Sequence, residues 1–177
     1  PVTSTELDTE IDEMPTVHRR TVTTSYGDIA VAETGEGPVL VMLHGGGPGA
    51  SGLSNYHQNL PALAKRFRVV LPDQPGFGGS YRPTEADLDA QSITQISVGA
   101  LFEALDALGV DRFHLLGNSL GGAAAIAMAQ AQPDRTTGLV LMAPGGGWLP
   151  FGPTPTEGQK EMFRYYNGDG PSEKKMS

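Results

Sequence analysis

The chain has 177 residues, of which 38% are hydrophobic and 18% are charged, and this is ordinary for one globular domain with a sizeable core. Its formal net charge of −8 argues against nucleic-acid binding, because phosphate contacts need clustered lysine and arginine. No apolar run approaches the roughly 20 residues of a membrane span, and no cysteine is present for a disulfide or a thiolate metal site. We therefore predict a cytoplasmic protein without signal peptide, membrane contact, metal or cofactor.

The first sixteen residues differ from the rest in charge. They contain five acidic side chains and no lysine or arginine; the acidic residues are Glu6, Asp8, Glu10, Asp12 and Glu13. We interpret residues 1–16 as a solvated N-terminal arm, with a subunit-contact arm as the alternative.

The remaining pattern alternates between short apolar runs and amphipathic stretches. Strands are predicted at Arg20–Thr24, Asp28–Glu33, Val39–Leu43, Phe67–Pro72, Phe113–Leu116 and Gly138–Met142. Helices are predicted over Tyr56–Lys65, over Ile93–Leu108 with Gly109 as cap, and in a segment ending near Gln130. This alternation predicts an α/β fold with a mostly parallel sheet and helices on both faces. Ligands of such sheets bind beyond the carboxyl ends of the strands.

Ser119 lies in Gly117-Asn118-Ser119-Leu120-Gly121, directly between a predicted strand and a predicted helix. In that context a G-x-S-x-G motif indicates a nucleophile elbow and acyl-transfer chemistry. The backbone N–H of Leu120 is then one natural oxyanion donor. The second donor is expected in Gly45–Gly47, which follows the Val39–Leu43 strand, because glycine leaves a backbone N–H open to a ligand.

The four histidines offer no good general base for Ser119. His18 and His57 are interpreted as surface residues, and His114 as a core histidine within a strand. His44 stands at the head of the glycine loop, and we interpret it as a residue that shapes the loop.

Two other loops have simpler interpretations. Gly45–Gly49 is not followed by Gly-Lys-Ser/Thr, so it is not predicted to bind nucleotide phosphates. Asp73 and Ser80 lie in a turn-rich loop and are interpreted as turn residues.

Several motifs resemble one known family. The stretch His44–Gly52, with the nearby Ser54-Asn55-Tyr56, resembles the signature of the meta-cleavage product hydrolases, which are α/β-hydrolase enzymes of aromatic and steroid-ring catabolism. Further matches follow in the family's order, namely Asp73–Gly78, Gly117–Gly122, Leu141–Gly146 and Pro153–Gly158. The resemblance runs from about Val17 to the last residue.

This resemblance implies a reaction and a set of residues. The substrate would be a vinylogous 1,5-diketone bearing a dienoate carboxylate, and water would cleave a carbon–carbon bond (EC 3.7.1 type). Ser119 would be the nucleophile, with the backbone amides of Gly46 and Leu120 as oxyanion hole. The substrate-binding residues would be Gly45, Gly47, Asn55 and Asn118. Relatives often carry tryptophan at the position of Leu53, so we expect a changed pocket wall there.

The resemblance also implies parts that the chain lacks. Family members continue through a cap and two further strands that carry the triad aspartate, the triad histidine and an arginine for the substrate carboxylate. We therefore expect residues 17–147 to form an α/β-hydrolase core truncated after about the sixth strand, and residues 148–177 to begin a cap. The chain would be a fragment of a longer enzyme, its ordered part, or half of a fold that a second chain completes. Alone it is expected to be inactive, and a homo-oligomer is possible because relatives commonly form one.

Two alternative functions remain open from the sequence. A carboxylesterase or lactonase would use the same fold, because fold does not fix function. A truncated, non-catalytic hydrolase-like binding protein would retain the fold without the chemistry.

Overall fold

A computed structural model describes residues 13–145 of the chain. Six strands are present there: β1 (His18–Thr23), β2 (Asp28–Thr34), β3 (Val39–Leu43), β4 (Arg68–Pro72), β5 (Phe113–Asn118) and β6 (Thr136–Met142). The α-helices of this region are α1 (Gly52–Tyr56), α2 (Leu60–Leu63), α3 (Glu85–Ala90), α4 (Ile93–Ala107) and α5 (Leu120–Ala131). All six predicted strands are confirmed, with bounds that differ by a few residues at most.

The strands form one mixed sheet in the order β1-β2-β4-β3-β5-β6. The β1–β2 and β2–β4 pairs are antiparallel, whereas β4, β3, β5 and β6 run parallel to one another. The parallel strands therefore bring the loops after β3, β4 and β5 to the same edge of the sheet. The predicted α/β class is confirmed.

Apolar side chains alternate between the two faces of the sheet, and each face is covered by its own helices. On one face Val41, Leu43 and Leu115 pack with the buried stripes of α4 and α5. On the other face Leu40 and Met42 pack with residues of α1 and α2. Helices on both faces were predicted, and the structure has them.

One helix prediction needs correction, and one helix was not predicted. The single helix predicted over Tyr56–Lys65 is wrong: α1 begins earlier, with Ser51 as its N-cap, and a 3-10 turn at His57–Asn59 separates α1 from α2. Pro61 lies in the first turn of α2, and a proline lacks the N–H that a continuous helix would need there. Helix α3 was not predicted, because it buries no side chain and is marked only by the capping box of Thr84.

Strand β6 is the last strand that the structure describes, and it pairs there with β5 alone. Its four apolar residues from Leu139 to Met142 are between 38% and 53% exposed. Within residues 13–145 the outer edge of β6 therefore has no partner strand. The cap prediction for residues 148–177, and the arm prediction over residues 1–12, lie outside the described residues. Among the described residues no helix is long and apolar enough to cross a membrane.

Candidate active site

Ser119 occupies the turn between β5 and α5 with φ 50° and ψ −113°. A non-glycine residue rarely takes a positive φ, and such strain is typical of functional sites. The Ser119 N–H donates to the Met142 carbonyl at 3.0 Å, and its own carbonyl accepts from Gly122 at 2.9 Å and Gly145 at 2.7 Å. The backbone is thus held on both sides of the turn, while the residue is exposed. This geometry is that of a nucleophile elbow.

Glycines permit the sharp turn because strand and helix backbones touch there. A Cβ on Gly117 would lie 2.7 Å from the Gly122 Cα, and a Cβ on Gly121 would lie 2.6 Å from the His44 carbonyl oxygen. Real Cβ atoms are not found at such distances from backbone atoms. Strand β5 and helix α5 therefore approach closely here, and α5 lies directly against the start of the glycine loop.

The glycine loop after β3 faces the elbow. A Cβ on Gly45 would lie 3.5 Å from the Ser119 Cβ, and one on Gly46 would lie 3.6 Å from the Leu120 Cβ. Within residues 13–145 the N–H groups of Gly46 and Leu120 have no hydrogen-bond acceptor. Two unengaged amides from adjacent loops, one of them at the head of a helix, suit an anion that forms at Ser119.

Both predicted asparagines lie beside this loop. The Asn55 Oδ1 accepts a hydrogen bond from the Gly45 N–H at 3.0 Å, so Asn55 also holds the loop in place. The half-exposed Asn118 has its Nδ2 3.0 Å from the position of a Cβ on Gly45. Gly47, the remaining predicted binding residue, accepts a hydrogen bond from Ala50 at 3.1 Å within the same loop. The structure thus places Gly45 and Asn118 beside Ser119, with Asn55 bonded to Gly45 and Gly47 in the same loop.

His44 is fully buried, and it shapes the loop as predicted. Its Nε2 accepts a hydrogen bond from the Gln74 N–H at 2.9 Å, so the ring proton resides on Nδ1, which lies 2.8 Å from the Gly45 carbonyl. Burial lowers the pKa of His44, against opposing effects of the Gly45 carbonyl and the Asp73 carboxylate. Both nitrogens of this neutral ring are engaged, so His44 is not a base for Ser119.

Neighbouring side chains hold the ends of β3 and β4. The buried Tyr56 donates to the Leu43 carbonyl at 2.9 Å, and burial raises the pKa of Tyr56 to about 12. The Asp73 carboxylate accepts from the N–H groups of Gly52 at 2.8 Å and Gly79 at 2.9 Å. Ser80 donates to the Asp73 carbonyl at 2.6 Å. The structural interpretation of Asp73 and Ser80 is therefore confirmed.

Sequence reasoning missed two residues of the loop after β4. Gln74 is 1% exposed and bonds to His44 through both its backbone and its side chain. The Phe77 ring lies edge-on to the His44 ring, with centroids 5.3 Å apart, and its Cζ is 3.7 Å from the position of a Cβ on Gly46. Both residues lie in the family motif Asp73–Gly78, but that match gave no role to either of them.

The position of Leu53 also needs comment. Leu53 packs against the core on the α1 side of the sheet. It lines an open cavity of about 610 Å³ together with Arg19 and Asp73. Neither Ser119 nor any residue of the Gly45–Gly47 loop lines that cavity. Leu53, which stands where relatives often carry tryptophan, therefore lines a cavity between α1 and the β1–β2 hairpin.

The hydrogen-bonded histidines of the described region have partners other than Ser119. Among residues 13–145 no histidine nitrogen is hydrogen-bonded to Ser119. His114 instead lies 3.0 Å from the Thr137 hydroxyl, and His57 lies 3.3 Å from the Ser54 carbonyl. In the same range no group of three or more His, Cys, Asp and Glu side chains could hold a metal ion.

Comparisons with known proteins agree with this geometry. Residues 38–167 match the model of the family described as alpha/beta hydrolase fold. A 2-hydroxy-6-oxo-6-phenylhexa-2,4-dienoate hydrolase from Burkholderia cepacia is 44% identical over 140 residues, which are 78% of this chain and 48% of that protein. A 2-hydroxy-6-oxononadienedioate/2-hydroxy-6-oxononatrienedioate hydrolase from Pseudomonas putida is 47% identical over 141 residues. These residues are 76% of this chain and 46% of the Pseudomonas putida protein.

A solved structure gives the same result. The 2-hydroxy-6-oxo-6-phenylhexa-2,4-dienoate hydrolase of a Rhodococcus strain superposes with a TM-score of 0.72 at 28% identity, covering 86% of this chain and 54% of that one. The chain thus spans about half the length of the curated relatives it matches. The resemblance to meta-cleavage product hydrolases is confirmed. The chain belongs to the alpha/beta hydrolase fold family.

Proposed function

We propose that this chain is the nucleophile-bearing half of a carbon–carbon bond hydrolase that cleaves meta-cleavage products of aromatic catabolism. The observation that carries the proposal is the geometry of the elbow. Ser119 is exposed at a strained turn, Leu120 follows it directly, and Gly46 borders Leu120; within residues 13–145 the amides of Gly46 and Leu120 are both unengaged. The names of the relatives that align over this half supply the substrate class.

The chemistry follows from these groups. The Ser119 Oγ attacks the keto carbon, and the Gly46 and Leu120 amides stabilise the resulting oxyanion. When the tetrahedral species collapses, the carbon–carbon bond breaks, its electron pair moves into the dienoate, and an acyl-serine remains. Water then releases the carboxylic acid. Asn55 and Asn118 would hold the dienoate, since each has an amide that borders the loop.

The proton transfers need residues other than those described. A serine hydroxyl is a weak nucleophile unless a base removes its proton. We assign the triad histidine and aspartate to a region equivalent to the part of the relatives that this chain does not span. That region would belong to the same polypeptide or to a second chain. The proposal also includes a cytoplasmic location and assembly into a homo-oligomer.

The test uses the longest polypeptide that contains this sequence. Hydrolysis of 2-hydroxy-6-oxo-6-phenylhexa-2,4-dienoate is followed by loss of the dienoate absorbance, beside hydrolysis of a simple aryl ester. We expect dienoate cleavage that disappears in Ser119→Ala. Strong ester turnover without dienoate cleavage would instead identify an esterase, and turnover unaffected by Ser119→Ala would remove the serine from the mechanism.

A further inference from the structure

Gln74 contacts the residue before the glycine loop at two points. Its backbone N–H donates to the His44 Nε2 at 2.9 Å, and its side-chain Nε2 donates to the His44 carbonyl at 2.6 Å. The amide orientation follows from chemistry, because the opposite orientation would set an oxygen against that carbonyl oxygen. Gln74 is 1% exposed and does not belong to the elbow or the glycine loop.

The effect of these two bonds reaches the oxyanion site through planar peptide groups. The bond at Nε2 requires the ring proton to be on Nδ1, and Nδ1 then donates to the Gly45 carbonyl at 2.8 Å. That carbonyl shares a peptide plane with the N–H of Gly46, and in a trans peptide the two point in opposite directions. Holding the Gly45 carbonyl toward His44 therefore directs the Gly46 N–H away from His44.

The preceding peptide is held in the same way. The His44 carbonyl accepts from the Gln74 side chain, and the Gly45 N–H of the same plane donates to Asn55 at 3.0 Å. Glycine peptides rotate easily, so without these bonds the loop has several orientations available. Among residues 13–145, the buried Gln74 is the one residue that bonds to both the ring and the carbonyl of His44.

We propose that Gln74 is a positioning residue of the oxyanion hole: its backbone N–H holds the His44 ring, its side chain holds the His44 carbonyl, and without the side-chain bond the Gly46 amide loses its fixed direction. Gln74 acts through His44 and need not touch substrate. This inference rests on the proposed function, because it assumes that the Gly46 amide stabilises an oxyanion formed at residue 119. An amide that is oriented before the reaction lowers the barrier more than one that must rotate first.

The test avoids any need for a triad base. In a Ser119→Cys background of the full 177-residue chain, the thiolate is acylated by p-nitrophenyl acetate, which passes through a tetrahedral oxyanion and expels p-nitrophenolate. The same thiolate is alkylated by iodoacetamide, which only displaces iodide. Both rates are proportional to the thiolate fraction and to the accessibility of the thiol, so the ratio of the two rates depends on neither. A small free thiol gives the reference ratio.

We expect the Ser119→Cys chain to show a ratio at least tenfold above that of the free thiol. Adding Gln74→Met removes the side-chain donor with little change in volume, and the ratio should then fall about tenfold or more. The matched control is Gln95→Met, because Gln95 caps α4 through Ser92 and the loss there is only structural. This control should leave the ratio within twofold of its parent.

The outcomes distinguish the positioning role of Gln74 from the existence of the oxyanion hole. A high ratio that Gln74→Met leaves unchanged overturns the role of Gln74 while leaving the oxyanion hole intact. A Ser119→Cys chain with the ratio of the free thiol refutes the oxyanion hole itself, and with it the proposed function. If Gln74→Met fails to fold, as judged by circular dichroism, ¹⁵N NMR of the His44 ring in the unmodified chain decides: a proton on Nε2 would contradict the arrangement.

Discussion

Replacing Ser119 by glycine should make the protein more stable. The residue has φ 50° and ψ −113°, and a side chain held in such a region costs about 1–3 kcal/mol. Glycine takes this conformation freely but loses about 0.5–1 kcal/mol through the entropy of the unfolded chain. The net gain expected for Ser119→Gly is therefore about 1 kcal/mol. For a protein of this size that corresponds to a rise in Tm of roughly 2–4 °C.

Ser119→Ala is the matched control, because alanine keeps the Cβ and therefore the strain. Within residues 13–145 the Ser119 hydroxyl has no hydrogen-bond partner, so its removal should change the free energy of unfolding by less than about 0.5 kcal/mol. Urea unfolding followed by circular dichroism measures both variants. If glycine and alanine prove equally stable at this position, no backbone strain is stored at the elbow and the reasoning fails.

Two further predictions concern the residues that surround the elbow. Because burial lowers the pKa of His44, the folded state takes up fewer protons than the unfolded chain once the pH falls below about 6.5. Stability should be fully retained above that pH and decline below it, by at most about 1.4 kcal/mol per pH unit from this group; urea unfolding of His44→Asn should show a flatter pH profile. Gly121→Ala places a methyl group 2.6 Å from the His44 carbonyl oxygen and should cost about 1–3 kcal/mol or more in the free energy of unfolding. Gly46→Ala has its nearest contact at 3.4 Å and should cost less than about 0.5 kcal/mol, with both measured by the same urea unfolding.

The sheet could be predicted from the sequence because its strands are apolar runs bounded by turn residues. Val39–Leu43 was predicted with the bounds that the structure has, and the predicted glycine cap at Gly109 has φ 68° with an N–H that donates to Asp106. The first helix could not be placed correctly by periodicity. Its start depends on the Ser51 cap and its interruption on Pro61, and both are local hydrogen-bonding effects that an apolar stripe does not report.

The candidate site was predictable only where one motif carries the geometry. The elbow at Ser119 is such a motif, since its glycines and its place between strand and helix specify the turn. The sequence predicted only part of the role of Asn55. The resemblance assigned Asn55 to substrate binding, and the structure adds a hydrogen bond that Asn55 accepts from the Gly45 N–H. The family motif at Asp73–Gly78 contains Gln74 and Phe77, but it assigned a role to neither residue.

The role of Gln74 could not be predicted because its contact with His44 depends on the order of the strands in the sheet. His44 and Gln74 are thirty positions apart, and they meet because β4 lies beside β3 in the sheet, with their carboxyl ends at the same edge. Strand β3 is also the neighbour of β5, so the loop that Gln74 holds is the one that faces Ser119. A sequence read in chain order treats the loop after β4 as one more turn. Only the arrangement β4-β3-β5 makes it the support of the proposed oxyanion site, which is why a substitution at Gln74 should act on chemistry at Ser119 without a contact between them.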